Sequence, residues 1–322
     1  MKILVTGGAG FIGSHLCRRL VGLGYHVICI DNLLTGTQDR IADLIEHNNF
    51  KFIKGDVTDR HSLDFAVLDQ IYHLASPASP VHYQADPVKT TETVVFGTYN
   101  ILQLAQRCRA KVLYASTSEI YGDPLVHPQR ETYWGNVNPI GPRSCYDEGK
   151  RCAETLCHDF AIHRGVEAKI IRIFNTYGPA MSMNDGRVVP NFILQALGGN
   201  DLTVYGDGRQ TRSFCYIEDL LASIFKVMAT ENDFLGPVNL GNTEAISVAN
   251  LAKLIIKLTK STSKVVLCPL PQDDPTQRCP DITYAYEKLG WRPIVSLQEG
   301  LEKTIAYYRW TLQYGFQATK SF

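Results

Sequence analysis

Residues 2–16 read KILVTGGAGFIGSHL: a short apolar, β-branched run, a glycine-rich turn with Gly7, Gly10 and Gly13 at three-residue spacing, and then the start of a helical pattern. A strand that feeds a helix through such a turn opens a βαβ unit. Glycine permits the sharp turn and lets a pyrophosphate approach backbone N–H groups, while the helix N-terminus favours the anion. Alone, the triplet also fits an ordinary tight turn. The next segment decides the matter, because HVICI (26–30) reads as a second strand and ends on Asp31, 18 residues past Gly13. A carboxylate there accepts both ribose hydroxyls of a dinucleotide and repels a 2′-phosphate, which points to NAD rather than NADP.

Further apolar runs recur at FKFIKGD (50–56), QIYHLAS (70–76), KVLYAST (111–117) and AKIIRIFN (168–175), separated by segments of helical period. Alternation of strand and helix predicts an α/β fold of Rossmann type, a doubly wound parallel sheet covered on both faces. Beyond residue 176 this rhythm weakens and Gly and Pro become denser. The expected division is therefore an NAD-binding domain over 1–176, with later segments returning to it, and a smaller C-terminal substrate-binding lobe over 177–322. In the sheet, the predicted cofactor contacts are Gly7, Gly10, Phe11, Ile12, Gly13, Asp31, Asn32, Thr35, Gly36, Asp56, Val57, Leu74 and Ala75, joined by Tyr146 and Lys150. Asp56 could equally serve as a helix N-cap.

Composition excludes several classes. The 32 Lys and Arg balance the 32 Asp and Glu, so no basic arm suggests nucleic acid. No apolar stretch is long enough for a membrane helix and no secretion signal is visible, so the chain reads as soluble. The nine cysteines lack a CxxC pair and read as buried thiols, with Cys145 set apart as redox-sensitive if exposed. His73, His82 and His127 show no metal-binding spacing, and no metal is expected.

The segment YDEGK places Tyr146 and Lys150 four apart, on one helix face if 145–164 is helical. A neighbouring ammonium and a cationic nicotinamide favour phenolate, which lets Tyr146 take a proton from a sugar hydroxyl. On most helices YxxxK is only a surface pair. Thr117, at the end of a strand, offers a hydroxyl where ligands bind in such sheets; Ser116 reads instead as a strand-end cap.

At this point the chain resembles the extended short-chain dehydrogenases/reductases acting on nucleotide sugars, and within them the UDP-glucuronate decarboxylase (UDP-xylose synthase) family. The resemblance rests on YHLASPASPVHY, ASTSEIYGDP, YWGNVNPIGPRSCYDEGKR, RIFNTYGP, MNDGRVVPNFILQAL, QTRSF, VNLGN and QDDP with a following PDI, in order along nearly the whole chain. It implies a cycle on bound NAD: Tyr146 deprotonates the C4 hydroxyl as C4 is oxidised, the carboxylate becomes β to a ketone and leaves as CO2, and reduction at C4 completes UDP-xylose. Catalytic roles are implied for Thr117, Glu119, Tyr146, Lys150 and Arg278.

In related sugar dehydratases the strand end resembles Thr-Asp-Glu, and the Asp supplies the acid; here that position is Ser118. In 4-epimerases the position of Glu119 is usually not acidic. A bidentate arginine on the substrate carboxylate would stabilise the ground state, so Arg278 is expected on the ribose, phosphate or sugar, although TQRC departs from the more basic family text. Arg187 and Arg212 are candidates for the pyrophosphate. Asn175 and Tyr205 are similar to residues that contact the nucleotide sugar, and Tyr83 and Lys89 are expected to reach its glucuronosyl part. For each, an exposed or structural polar residue is the alternative, and it is the preferred reading for Tyr83 and Lys89. The resemblance also implies a homodimer through helices 88–108 and 145–164. Some relatives carry a membrane anchor facing the secretory lumen, whereas this chain begins almost directly at its first strand, so a cytoplasmic setting is the simpler expectation. Two other readings stay open: a 4-epimerase or a decarboxylase releasing the 4-keto pentose, and a silent nucleotide-sugar binder. The presence of Thr117, Tyr146 and Lys150 weighs against the silent binder.

Overall fold

The computed structural model describes residues 1–231, 233–269 and 277–315. In chain order its first elements are β1 (Lys2–Thr6), α1 (Phe11–Gly22), β2 (His26–Asp31), β3 (Phe50–Lys54), β4 (Gln70–His73), α2 (Pro80–Tyr83), α3 (Pro87–Cys108), β5 (Lys111–Thr117), α4 (Ser144–Arg164) and β6 (Ala168–Ile173). Then come β7 (Thr176–Tyr177), α5 (Val188–Leu197), β8 (Leu202–Tyr205), β9 (Thr211–Ser213), β10 (Cys215–Tyr216), α6 (Ile217–Met228), β11 (Val238–Leu240), β12 (Ala245–Ser247), α7 (Val248–Thr259), β13 (Val265–Cys268), β14 (Gln277–Arg278), α8 (Thr283–Leu289) and α9 (Leu297–Tyr314).

Seven strands form one sheet in the order β11-β6-β5-β4-β1-β2-β3. β1 pairs in parallel with β2 and with β4, β2 with β3, and β4 with β5. This is the expected doubly wound arrangement, whose order reverses beside β1, where such folds bind ligands. The strands can be apolar throughout because both faces are covered: Ile3, Leu4, Val5, Cys29, Ile30, Ile71 and Leu113 are all buried. α3 starts with Pro87 at its first position and Asp86 capping the Lys89 N–H at 3.0 Å.

Three of these strands stop two or three residues short of the apolar runs that announce them, at Lys54, His73 and Ile173. The leftover residues turn over the strand ends: Leu74 and Ala75 donate to Thr6, the first to its carbonyl at 3.1 Å and the second to its hydroxyl at 3.2 Å. Asp56 and Asn175 are among them as well, so the ends of the runs are where candidate ligand contacts gather.

The chain divides into two compact units, 1–120 with 143–172 and 221–238, and 121–142 with 173–220 and 239–322. In the second, β10 pairs with β7, β13 with β8, and β9 lies between β12 and β14. Gln129, fully buried, braces β14: its backbone N–H donates to the Cys279 carbonyl, its Oε1 accepts from the Cys279 N–H at 2.8 Å, and its own carbonyl accepts from Asp281. Asn239 donates to the carbonyls of both Gln129 and Asp281.

Candidate active site

The glycine turn is built to bring backbone close to a ligand. Gly7 sits at φ +70°, and a Cβ there would lie 2.9 Å from Ala75 Cα; at Gly13 a Cβ would be 2.7 Å from Gly8 Cα and closer still to the Gly7 carbonyl. Gly10 is the N-cap of α1 and offers no side chain to the first-turn N–H groups of the helix, which suits an anion. Asp31 ends β2 with its carboxylate fixed by the N–H groups of Ala9 (3.0 Å) and Leu33 (2.8 Å). Burial raises its pKa, against those two bonds and the charge of Arg40. Gly36 lies against this carboxylate, and Arg40 binds the Thr35 carbonyl at 3.3 Å. These features fit a dinucleotide.

At the end of β3, Asp56 accepts from Asn32 at 3.0 Å and from the Thr58 N–H and hydroxyl at 2.9 and 2.7 Å. Burial pushes its carboxyl up, but these bonds and Lys89 outweigh it and hold it at about 2. Lys89 is placed here: its ammonium lies 3.1 Å from Asp56 and donates to Thr58 at 3.1 Å. The residue expected on the sugar thus rests against Asp56, itself a predicted cofactor contact. Val57 is buried against Gly97, where a Cβ would be 2.6 Å from Val57 Cγ2.

α4 carries Tyr146 and Lys150 inward as expected, both buried. Lys150 donates to the Ala115 carbonyl at 2.7 Å, and its ammonium lies 5.0 Å from the Tyr114 ring centre and 5.6 Å from that of Tyr146. Burial brings its pKa down to about 7, against the opposing pull of Cys157 and Glu154. Tyr83 stacks on Tyr146 with ring centres 5.0 Å apart and planes 3° from parallel. Its hydroxyl is buried and has no hydrogen-bond partner among the described residues, which suits a bond to a ligand group. Thr117 ends β5 and accepts the Glu119 N–H at 3.2 Å, while Ser118 is buried beside it. His73 is buried, bridges Thr6 and Thr98, and is held neutral with a pKa of about 3 by burial and the nearby Lys150.

In the second unit, Arg278 pairs in register with Arg212 across β14 and β9, so two buried arginines stand side by side on one sheet face. Arg187 holds Asp185, with Nη2 at 2.7 Å from Oδ2 and Nε on Oδ1. The Nδ2 of Asn175 is buried without a hydrogen-bond partner among the described residues. Tyr205 is exposed at the end of β8. The QDDP motif (272–275) lies outside the described residues.

The family model described as GDP-mannose 4,6 dehydratase matches residues 4–304. UDP-glucuronic acid decarboxylase 6 of Arabidopsis thaliana is 54% identical over 302 residues, 94% of this chain and 87% of that protein. UDP-glucuronic acid decarboxylase 1 of Xenopus tropicalis is 52% identical over 313 residues, 97% of this chain and 73% of that protein. The chain belongs to the UDP-glucuronic acid decarboxylase family. A solved structure of UDP-glucuronic acid 4-epimerase from Bacillus cereus, in complex with UDP-glucuronic acid and NAD, superposes with a TM-score of 0.85 at 31% identity, covering 96% of this chain and 99% of that one.

Around the candidate site of this UDP-glucuronic acid decarboxylase family member, the sequence reading passes over three charged side chains. Arg143 donates to Glu119 at 2.6 Å. Glu154, one turn beyond Lys150, accepts from Ser116 at 2.5 Å and from the Nε and Nη2 of Arg172 at 3.0 and 2.7 Å. Ser116 therefore ties β5 to α4 and does not cap its own strand. A signal for Arg143 was present: it occupies the N-cap of a helix, where Ser, Thr, Asp or Asn is usual. Glu154 and Arg172 left no local signal. All nine cysteines are free thiols, and Cys145 is half-buried, its pKa raised by burial, so it lacks the character of a reactive thiolate. Among the described residues, no group of three or more His, Cys, Asp or Glu is placed to hold a metal ion, and no helix is long and apolar enough to cross a membrane.

Proposed function

We propose that this protein converts UDP-glucuronate to UDP-xylose through a 4-keto intermediate, with NAD held and restored within one cycle. The glycine turn, the uncapped N-terminus of α1 and the Asp31 carboxylate would hold the dinucleotide. Bound NAD supplies the oxidation at C4 and the closing reduction. Tyr146 takes the proton of the C4 hydroxyl, helped by the Lys150 ammonium near its ring, which favours phenolate. Thr117 hydrogen-bonds the same oxygen. Once C4 is a ketone, the substrate carboxylate is β to it and departs as CO2, its electrons held as an enolate. Tyr83 and Glu119 line the sugar side, Glu119 acting directly or through water. Arg212 and Arg278, side by side, suit phosphate oxygens, and Arg187, Asn175 and Tyr205 complete the nucleotide-sugar contacts.

The observation that carries this reading over dehydration or epimerisation is the strand end Thr117-Ser118-Glu119. A buried serine stands where departing water would need an acid, and a carboxylate follows it. A homodimer through α3 and α4 is part of the reading, supported by apolar side chains left exposed on both helices, Phe96 and Ile162 at 58% and 61%. Incubation with UDP-glucuronate and substoichiometric NAD+ tests the function. UDP-pentose and CO2 should form in equal amounts with no net rise in NADH; substrate left intact or returned as its C4 epimer would contradict it.

A further inference from the structure

Arg143 breaks three local rules at once. It is the N-cap of the 21-residue α4, and its side chain makes no capping bond. A cation at that end opposes the helix dipole, and its side chain is only 11% exposed, so burial opposes its charge as well. Such violations are expected where function requires them. Burial lowers the pKa of the guanidinium, but the Glu119 carboxylate, together with Tyr83 and Asp147, more than offsets it. Side chain and backbone of this residue serve the two reacting groups separately. The guanidinium takes Glu119 at 2.6 Å, while the Arg143 carbonyl accepts the N–H groups of Tyr146 at 3.0 Å and Asp147 at 3.1 Å and so starts the turn that carries the tyrosine.

We propose that Arg143 is a positioning residue that holds Glu119 in fixed register with Tyr146 and keeps it ionised during turnover. The proposal rests on the functional reading above, in which Glu119 acts beside the sugar. Around the pair stand Tyr83 from α2 and Asp147 from α4, which interact electrostatically with Arg143, and Tyr146, which acts on Tyr83. Tyr83 is kept neutral by burial, so Arg143 is the neighbouring cation to which the Glu119 carboxylate is bonded. Without it, a half-buried carboxyl binds its proton more readily.

The test follows the Glu119 carboxyl directly by 13C NMR of glutamate-labelled protein, assigned through Glu119→Gln, in the wild type, Arg143→Met and Arg143→Lys. Arg143→Met should raise the proton affinity of Glu119 by about tenfold or more, and Arg143→Lys, which keeps the charge, should leave it within about threefold. In kinetics, Arg143→Met should lower kcat about tenfold with KM little changed. Glu119→Gln combined with either Arg143 variant should fall no further than Glu119→Gln alone. An unmoved Glu119 titration, or a double variant that loses the product of the single losses, overturns the assignment. Should Arg143→Met fail to fold, Arg143→Gln, which also removes the charge, and its double with Glu119→Gln are judged on the criteria set for Arg143→Met. If the wild type forms no UDP-xylose, the functional reading falls while the titration still judges Arg143.

Discussion

Lys150→Met should stabilise the protein while disabling it, and the gain should depend on pH. The lysine is 4% exposed, and burial lowers its pKa from 10.5 to about 7. At about 1.4 kcal/mol per pH unit, that corresponds to roughly 5 kcal/mol for holding the charge in the core. Removing the ammonium leaves the Ala115 carbonyl without its 2.7 Å donor, which costs about 1–3 kcal/mol. A net gain of roughly 2–4 kcal/mol remains, or several degrees in Tm. Below pH 7 the lysine is charged whether folded or unfolded, and the penalty is present in full. Between about 7 and 10.5 the unfolded chain binds the proton and the folded one does not, so wild-type stability rises with pH. Thermal unfolding of both proteins without added nucleotide, from pH 6 to pH 10, should therefore show the Lys150→Met variant ahead at pH 6 and the gap closing toward pH 10. A gap that is constant, or a variant less stable at pH 6, would refute the reasoning. Turnover should fall about 10²–10⁴-fold in the same variant.

Tyr146→Phe should lower kcat by about 10²–10⁴-fold and leave UDP-glucuronate affinity nearly intact, as measured by calorimetric binding beside steady-state rates. Gly13→Ala should abolish NAD binding in a fluorescence titration, because its Cβ has no room beside Gly8 Cα. Asp56→Asn should flatten the acid side of the stability curve. The folded carboxyl titrates at about 2 against an ordinary 3.8, so its contribution is present above 3.8 and lost as pH falls toward 2; urea melts from pH 5 to pH 2 would show whether wild type loses more than the variant.

What could be read in the sequence was local. The glycines from Gly7 to Gly13 lie on one turn, Asp31 ends the next strand, and Tyr146 and Lys150 lie one helical turn apart, so spacing alone places them. The pairs that could not be read join distant segments: Arg143 with Glu119 spans 24 residues, Lys89 with Asp56 spans 33, and Arg278 meets Arg212 only through the register of two short strands. A β14 of two residues and a β9 of three carry no period to detect. Lys89 illustrates the limit most clearly, since its helix-start position was legible but the carboxylate it would meet lay on another strand end.

The most direct test of the central claim is proton NMR of the purified protein turning over UDP-glucuronate in deuterated water with catalytic NAD+. Oxidation, loss of CO2, protonation at C5 and reduction at C4 predict UDP-xylose carrying one deuterium at C5 and no accumulated NADH. UDP-galacturonate, or a 4-keto pentose with matching NADH, would contradict it.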